Sequence, residues 1–232
     1  MRIPCFLTMM THTEPRILLI FDLDGTLYRT DSSFLRTMRR VYEESSVSYP
    51  GDAPILGMVG ETFDVFLTWL VAQGFPDDCD ALSALIGRYE LDAIREHGVL
   101  FDGVAETLRS LAACGCVITL CTNGDLRYAT AVLDACGIRS LFARLQTLDD
   151  GRTKTSMIAE LLAAYPRLRP IVVGDRRHDL EAARANRCLM VGAAYGYARD
   201  GELDSADVII RSFPELLDVV ASRCRGSKPA SG

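Results

Sequence analysis

The groups in this 232-residue chain best placed to do chemistry are two carboxylates, Asp22 and Asp24, in the stretch Asp22-Leu-Asp-Gly-Thr26. Paired acids can grip a cation, attack an electrophilic centre or pass a proton. The run before them, Ile17-Leu-Leu-Ile-Phe21, is short, apolar and unbroken, the pattern of a strand buried on both faces of a parallel sheet. Such sheets bind ligands at the carboxyl ends of their strands, where these acids stand. Acids at i and i+2 point the same way along a strand, and a turn starting at Gly25 can swing Asp24 towards whatever Asp22 holds. Two plainer readings compete. Asp-Gly is a common turn pair, and Asp-x-Asp-Gly also opens calcium loops; those close with a Glu at the twelfth position, where Ser33 stands.

Three later segments add partners. Cys116-Val-Ile-Thr-Leu-Cys121 is a second strand-like run, ending in Thr122-Asn123-Gly124 ahead of a helical stretch. A hydroxyl, an amide and backbone N–H groups before a helix can seat a phosphate, although the same triplet also makes an ordinary capped turn. Lys154 opens the next helical run. Among 25 Lys and Arg residues the only lysines are Lys154 and Lys228. A compact ammonium acts as a point charge where a guanidinium fork does not fit, which favours a functional Lys154 over a solvated one. Ile171-Val-Val-Gly174 then runs as a strand into Asp175-Arg-Arg-His-Asp179, and acids at that spacing suit a single cation, one binding it and the other acting from behind.

The elements that must position these groups follow from pattern. Helical periodicity covers 33–44, 61–73 and 78–97. In the second of these Phe63, Phe66, Leu67 and Leu70 form an apolar stripe with Trp69 beside it, read as packing rather than as a cofactor box. No convincing strand interrupts residues 33–98. From 99 onward helices over 105–113, 126–136, 155–164 and 179–185 alternate with strands at 116–121, 144–146, 171–174, 188–191 and 208–210. The alternation predicts an α/β fold: a doubly wound, Rossmann-like parallel sheet core with an inserted all-helical cap domain. The expected division is a flexible leader over 1–15, a catalytic core from 16–32 plus 99–222, a helical cap over 33–98 and a disordered tail over 223–232. Met9 and Met10 are alternative starts within that leader.

Bulk properties narrow the function classes. A chain that is 49% hydrophobic with a formal net charge of -6 reads as a soluble globular protein without the basic footprint of a nucleic-acid binder. A small anionic substrate would then need local positive charge, which Lys154 and a metal ion could supply. No apolar stretch has the length needed to cross a membrane. The eight cysteines show neither zinc spacing nor C-x-x-C, and several fall inside apolar strands or helices, which suits reduced thiols and a cytoplasmic location. No sequence feature speaks to oligomeric state.

Taken in order, Asp22-Leu-Asp24-Gly-Thr26, Thr122-Asn123-Gly124, Lys154 and Gly174-Asp175-x-x-x-Asp179 resemble the four motifs of the haloacid dehalogenase superfamily, over a span from about Arg16 to Leu217. Val99-Leu-Phe-Asp-Gly-Val104 is similar to the hinge that re-enters the core in that family. Gly57-Met-Val-Gly60-Glu61-Thr62 resembles the cap segment of its phosphoglycolate phosphatase-like members with a helical cap. The resemblance implies a magnesium-dependent phosphatase acting on a small phosphorylated metabolite, a phosphoglycolate-like phosphomonoester, through an aspartyl-phosphate. It gives Asp22 the attack on phosphorus and Asp24 the proton transfers. It assigns Mg2+ to the Asp22 carboxylate, the Asp24 backbone carbonyl and Asp175, with Asp179 orienting a water bound to the ion. The phosphate oxygens fall to Thr122, the Asn123 backbone and Lys154.

Two alternatives stay open: a β-phosphoglucomutase-like phosphotransferase, and an inactive ligand-binding module, which the intact motif residues disfavour. Asp24 separates the chain from haloacid dehalogenases, which lack the second acid. Residues 33–98 contain no lysine, which argues against phosphonoacetaldehyde hydrolases with their Schiff-base lysine in the cap. Thr155 stands where many relatives carry Pro. Arg176, Arg177 and His178 are read mainly as helix surface, and His97 as structural.

Overall fold

Strand β1 (Ile17–Phe21) can be apolar throughout because both of its faces are covered. Ile17, Leu19 and Phe21 enter one buried cluster and Leu18 and Ile20 another. The computed structural model describes residues 17–148 and 152–225. Within them β1 is joined by β2 (Val117–Cys121), β3 (Arg144–Gln146), β4 (Arg169–Gly174), β5 (Leu189–Ala193) and β6 (Val208–Ile210). These form a parallel sheet in the order β3-β2-β1-β4-β5-β6. The chain order reverses between β1 and β4, so the crevice beyond their carboxyl ends is the topological switch point at which open α/β sheets bind ligands.

Helices α1 (Asp31–Ser45), α2 (Asp52–Leu56), α3 (Phe63–Ala72) and α4 (Cys79–His97) fall between β1 and β2. The others are α5 (Val104–Ala113), α6 (Leu126–Ala135), α7 (Lys154–Ala164), α8 (Arg177–Ala185) and α9 (Leu216–Arg225). Leu108 and Leu111 of α5, Val132 and Leu133 of α6 and Val220 of α9 cover one sheet face. Met157, Ile158 and Leu161 of α7 and Leu180 and Ala183 of α8 cover the other. Doubly wound parallel sheets have this three-layer arrangement. Helices α1 to α4 bury a cluster of their own, in which Tyr42 meets the rings of Tyr49 and Phe75 edge-on at 5.3 and 4.8 Å. The chain enters and leaves this helical insert side by side, since Arg29 N–H donates to the Val99 carbonyl and Phe101 N–H to the Leu27 carbonyl, both at 3.0 Å.

Several expectations need correction. Helix α1 starts at Asp31 rather than at 33, α2 was not foreseen, and α9 carries the chain helically to Arg225, past the proposed end of the core at 222. Of the apolar stripe on α3, Phe66, Leu67 and Leu70 are buried, but Phe63 is 43% exposed and borders the cavity described below. The expected leader, with Met9 and Met10, and the last seven residues of the expected tail lie outside the described residues. Among the described residues no helix is long and apolar enough to cross a membrane.

The central strand is where a lost side chain should hurt most. Leu19→Ala, at a fully buried position, is expected to lower unfolding free energy by about 3 kcal/mol in urea titrations, whereas Ile209→Ala on the half-open edge strand should cost less than about 1 kcal/mol.

Candidate active site

Asp22 follows β1 directly, and its N–H donates to the Val173 carbonyl at 2.9 Å, so the ladder with β4 continues one residue past the strand. The turn then opens at Gly25, whose φ of +74° suits glycine. A Cβ there would also stand 2.1 Å from Asp175 Oδ2, so the same glycine makes room for the acid at the end of β4. The turn brings Asp24 back over the crevice, where its Oδ1 accepts the Thr30 hydroxyl at 2.7 Å and the Tyr128 hydroxyl at 2.5 Å.

Asp22, Asp175 and Asp179 are all buried, and one carboxylate oxygen of each lies within 4.8 Å of the others. Among the described residues, one buried cation pairs with this cluster. Lys154 Nζ reaches Asp22 Oδ1 at 2.9 Å and Asp179 Oδ1 at 2.7 Å. Asp179 also accepts the Arg176 N–H at 3.1 Å, and Asp175 accepts the Tyr197 N–H at 2.6 Å and the Thr26 hydroxyl at 3.4 Å. Burial and the neighbouring Asp179 push Asp22 up to about 7, although Lys154 pulls the other way. Burial raises Asp175 well above the ordinary carboxylate range. Burial alone would lower Lys154, but Asp179 and Asp22 outweigh it and hold the ammonium above the usual lysine range. With every acid ionised, three carboxylates and one ammonium leave an excess of two negative charges, a donor set that fits a divalent cation.

Lys154 is the first residue of α7, a position where the helix dipole disfavours a positive charge. Two ion pairs outweigh that effect, and the helix start is fixed independently. Thr153 caps it with its side chain while the Ser156 hydroxyl accepts the Thr153 N–H at 3.0 Å. Thr122, at the end of β2, is buried, and its hydroxyl accepts the Gly124 N–H at 3.1 Å. Asn123 turns its side-chain amide to the Gly60 carbonyl at 3.0 Å, so it ties the insert to the core. All seven residues singled out from the sequence, Asp22, Asp24, Thr122, Asn123, Lys154, Asp175 and Asp179, thus gather at the carboxyl ends of β1, β2 and β4. All but Asp175, Asp179 and the backbone turns line a cavity of about 560 Å3 roofed by α3 and α4.

Sequence reasoning missed two groups. Tyr128, on α6, is not among the candidates drawn from the sequence, yet its hydroxyl is bound to Asp24. Arg176, expected on the surface, is 2% exposed. Its guanidinium donates to the Val59 carbonyl and pairs with Glu61 at 3.3 Å and Glu202 at 3.1 Å. Arg177 and His178 also reach Glu61, at 3.2 and 3.1 Å. The helix-surface reading fails for Arg176, while Arg177 stays 51% exposed; all three cations serve the insert, whose loop before α3 docks on the start of α8 through the Glu61 side chain. Only the separation of the partners, more than a hundred residues, hid this.

Comparison with known proteins supplies the class to which this fold and its acids belong. The profile of the haloacid dehalogenase-like hydrolases matches residues 19–193, and the chain belongs to that family. It is 30% identical over 226 residues to the phosphoglycolate phosphatases of Salmonella typhimurium and Escherichia coli K12, covering 85% of this chain and 89% of each relative. These relatives make the chain an enzyme of the phosphatase class. A predicted phosphoglycolate phosphatase from Haemophilus somnus superposes with a TM-score of 0.80 at 23% identity, covering 88% of this chain and 98% of that one. CbbY from Rhodobacter sphaeroides, solved in complex with phosphate, superposes with a TM-score of 0.68 at 18% identity, over 86% and 95% of the two chains.

Two measurements check this geometry. Burial raises Asp24, and the hydroxyls of Tyr128 and Thr30 draw it back by stabilising the ionised form. Tyr128→Phe removes one of those donors, so the Asp24 titration followed by carboxyl NMR should move to higher pH. Glu61→Ala leaves Arg176 with Glu202 as its one remaining acidic partner, and should lower unfolding free energy by about 2–4 kcal/mol.

Proposed function

We propose that the protein is a magnesium-dependent phosphatase that hydrolyses a small phosphorylated metabolite, a phosphoglycolate-like phosphomonoester, through an aspartyl-phosphate intermediate. The observation that carries this reading is the buried Asp22–Lys154–Asp179 array, with Asp175 beside it, at the switch point of the sheet. An acid held ready by an ammonium, with anion-seating groups at its side, suits attack on phosphorus. The names of the relatives at 30% identity support the substrate class.

Asp22 attacks the phosphorus, and the leaving alkoxide departs on the opposite side. Asp24, swung over the crevice by the Gly25 turn, protonates that oxygen as the bond breaks. The acyl phosphate on Asp22 is then hydrolysed by water, from which Asp24 takes the proton back. Burial raises Asp24, which favours the protonated form needed in the first step. Lys154, the Thr122 hydroxyl and the Asn123 backbone stabilise the equatorial phosphoryl oxygens as charge redistributes. The Asp22 carboxylate, the Asp24 backbone carbonyl and Asp175 would hold Mg2+, with Asp179 orienting a water on it. The ion would neutralise phosphoryl charge in this otherwise acidic site. Phe63 and Phe66 of α3 and Ile86 of α4 form part of the wall of this cavity.

Asp22→Asn is nearly isosteric and should fold, but it lacks the nucleophile. Turnover of phosphoglycolate and of p-nitrophenyl phosphate should fall by more than about a thousandfold. Near wild-type rates would remove Asp22 from the reaction. Exhaustive chelation should abolish release of phosphate, Mg2+ should restore it, and Ca2+ should do so poorly because its looser coordination spoils in-line geometry. Full activity after chelation would overturn the metal assignment.

A further inference from the structure

Three cations line the cavity: Arg127, Arg152 and Lys154. Lys154 is committed to Asp22 and Asp179, and Arg152 to Gln146 and Glu160. Arg127 has no hydrogen-bond or ion-pair partner among the described residues. It sits in the first turn of α6, just after Asp125 caps that helix, on the core side of the cleft. The insert faces it with Gly87, in the middle of α4. Glycine inside a helix costs roughly 1 kcal/mol relative to alanine, so its presence there calls for a reason. A Cβ on Gly87 would come 3.5 Å from the Arg127 guanidinium, and a larger side chain would take the space in front of it. The gap therefore leaves room beside a positive group that borders the cavity.

Glu90, one turn beyond Gly87 on α4, also borders the cavity and makes no ion pair with Arg127. Burial and the nearby Asp125 and Asp24 push it up to about 7, so near neutral pH it offsets the guanidinium only in part. Elsewhere the cavity wall mixes apolar side chains, Phe63, Phe66 and Ile86 among them, with polar ones. A planar guanidinium in such surroundings is suited to a carboxylate, which it can grip through two parallel N–H donors.

Building on the phosphatase reading, we infer that Arg127 binds the carboxylate of a phosphorylated carboxylic acid, so that the leaving group is recognised from the core helix α6 and not from the insert alone. Lys154 and the acid cluster would hold the phosphoryl end while Arg127 fixes the other. Arg127 would then be a specificity residue that acts in binding and leaves bond breaking to Asp22 and Asp24.

The test compares 2-phosphoglycolate with 2-hydroxyethyl phosphate, which exchanges the carboxylate for a hydroxymethyl group. Wild-type protein should prefer the carboxylate. Arg127→Met should lower that preference, as a ratio of kcat/KM values, by on the order of 30-fold, mainly through a higher KM for phosphoglycolate. Arg127→Lys should fall between the two, since a point charge replaces the fork. A ratio that does not change in Arg127→Met, or a wild type that hydrolyses both esters equally well, overturns the assignment of Arg127 while leaving the phosphatase reading intact. A wild type that releases phosphate from neither these esters nor p-nitrophenyl phosphate would overturn both.

Discussion

Three carboxylates share a buried space with one ammonium, and the rest of the molecule is arranged around that imbalance. Asp22, Asp175 and Asp179 come from the ends of two adjacent strands and the helix that follows, and Lys154 is the one buried cation that meets two of them. Charges confined this way are stable only when each is paired or hydrogen-bonded. The Tyr197 and Arg176 N–H groups, the Thr26 hydroxyl and the Lys154 ammonium supply those partners. The residual negative charge gives the site a donor set that fits a divalent cation. The sheet topology fixes where the imbalance sits, because only at the reversal between β1 and β4 do these strand ends open into a crevice.

The helical insert has a core of its own and meets the sheet domain through polar contacts. Glu61 gathers Arg176, Arg177 and His178, the Asn123 amide holds the Gly60 carbonyl, and Arg199 reaches the Gly57 carbonyl at 3.1 Å. One short loop, residues 57–61, therefore docks beside both the Thr122–Gly124 segment and the acid motif at the start of α8. A polar docking of this kind is easier to release than an apolar one, since its groups can be resolvated. It places the roof of the cavity under the influence of residues adjoining Asp175 and Asp179.

Much of this was legible in the sequence because the groups proposed to do chemistry sit at local landmarks. Asp22 ends an apolar run, Thr122 and Asp175 end two more, and Lys154 begins a helix in a chain nearly devoid of lysine. Strand-helix alternation gave the sheet for the same reason: each buried strand is a short apolar run bounded by turn residues. The misses have equally physical causes. Helix α2 is five residues long and contains Pro54, too short for periodicity to show. In α9 the buried residues reduce to Leu216 and Val220 within a mostly polar segment. Arg176 looks like any cation in the first turn of a helix until Glu61, 115 residues earlier, is brought against it. Tyr128 carries the amphipathic pattern of a core aromatic, and only the fold shows that its hydroxyl meets Asp24.

The central claim, that the array at the switch point activates Asp22 as a nucleophile towards phosphorus, is tested most directly by trapping the protein during turnover. Borohydride reduces an acyl phosphate to the alcohol and so converts the aspartate that bears it to homoserine. Peptide mass spectrometry after such treatment should find homoserine at position 22, only when a phosphomonoester and Mg2+ are both present. Homoserine at Asp175 or Asp179 instead, or sustained turnover with position 22 left unmodified, would contradict the account.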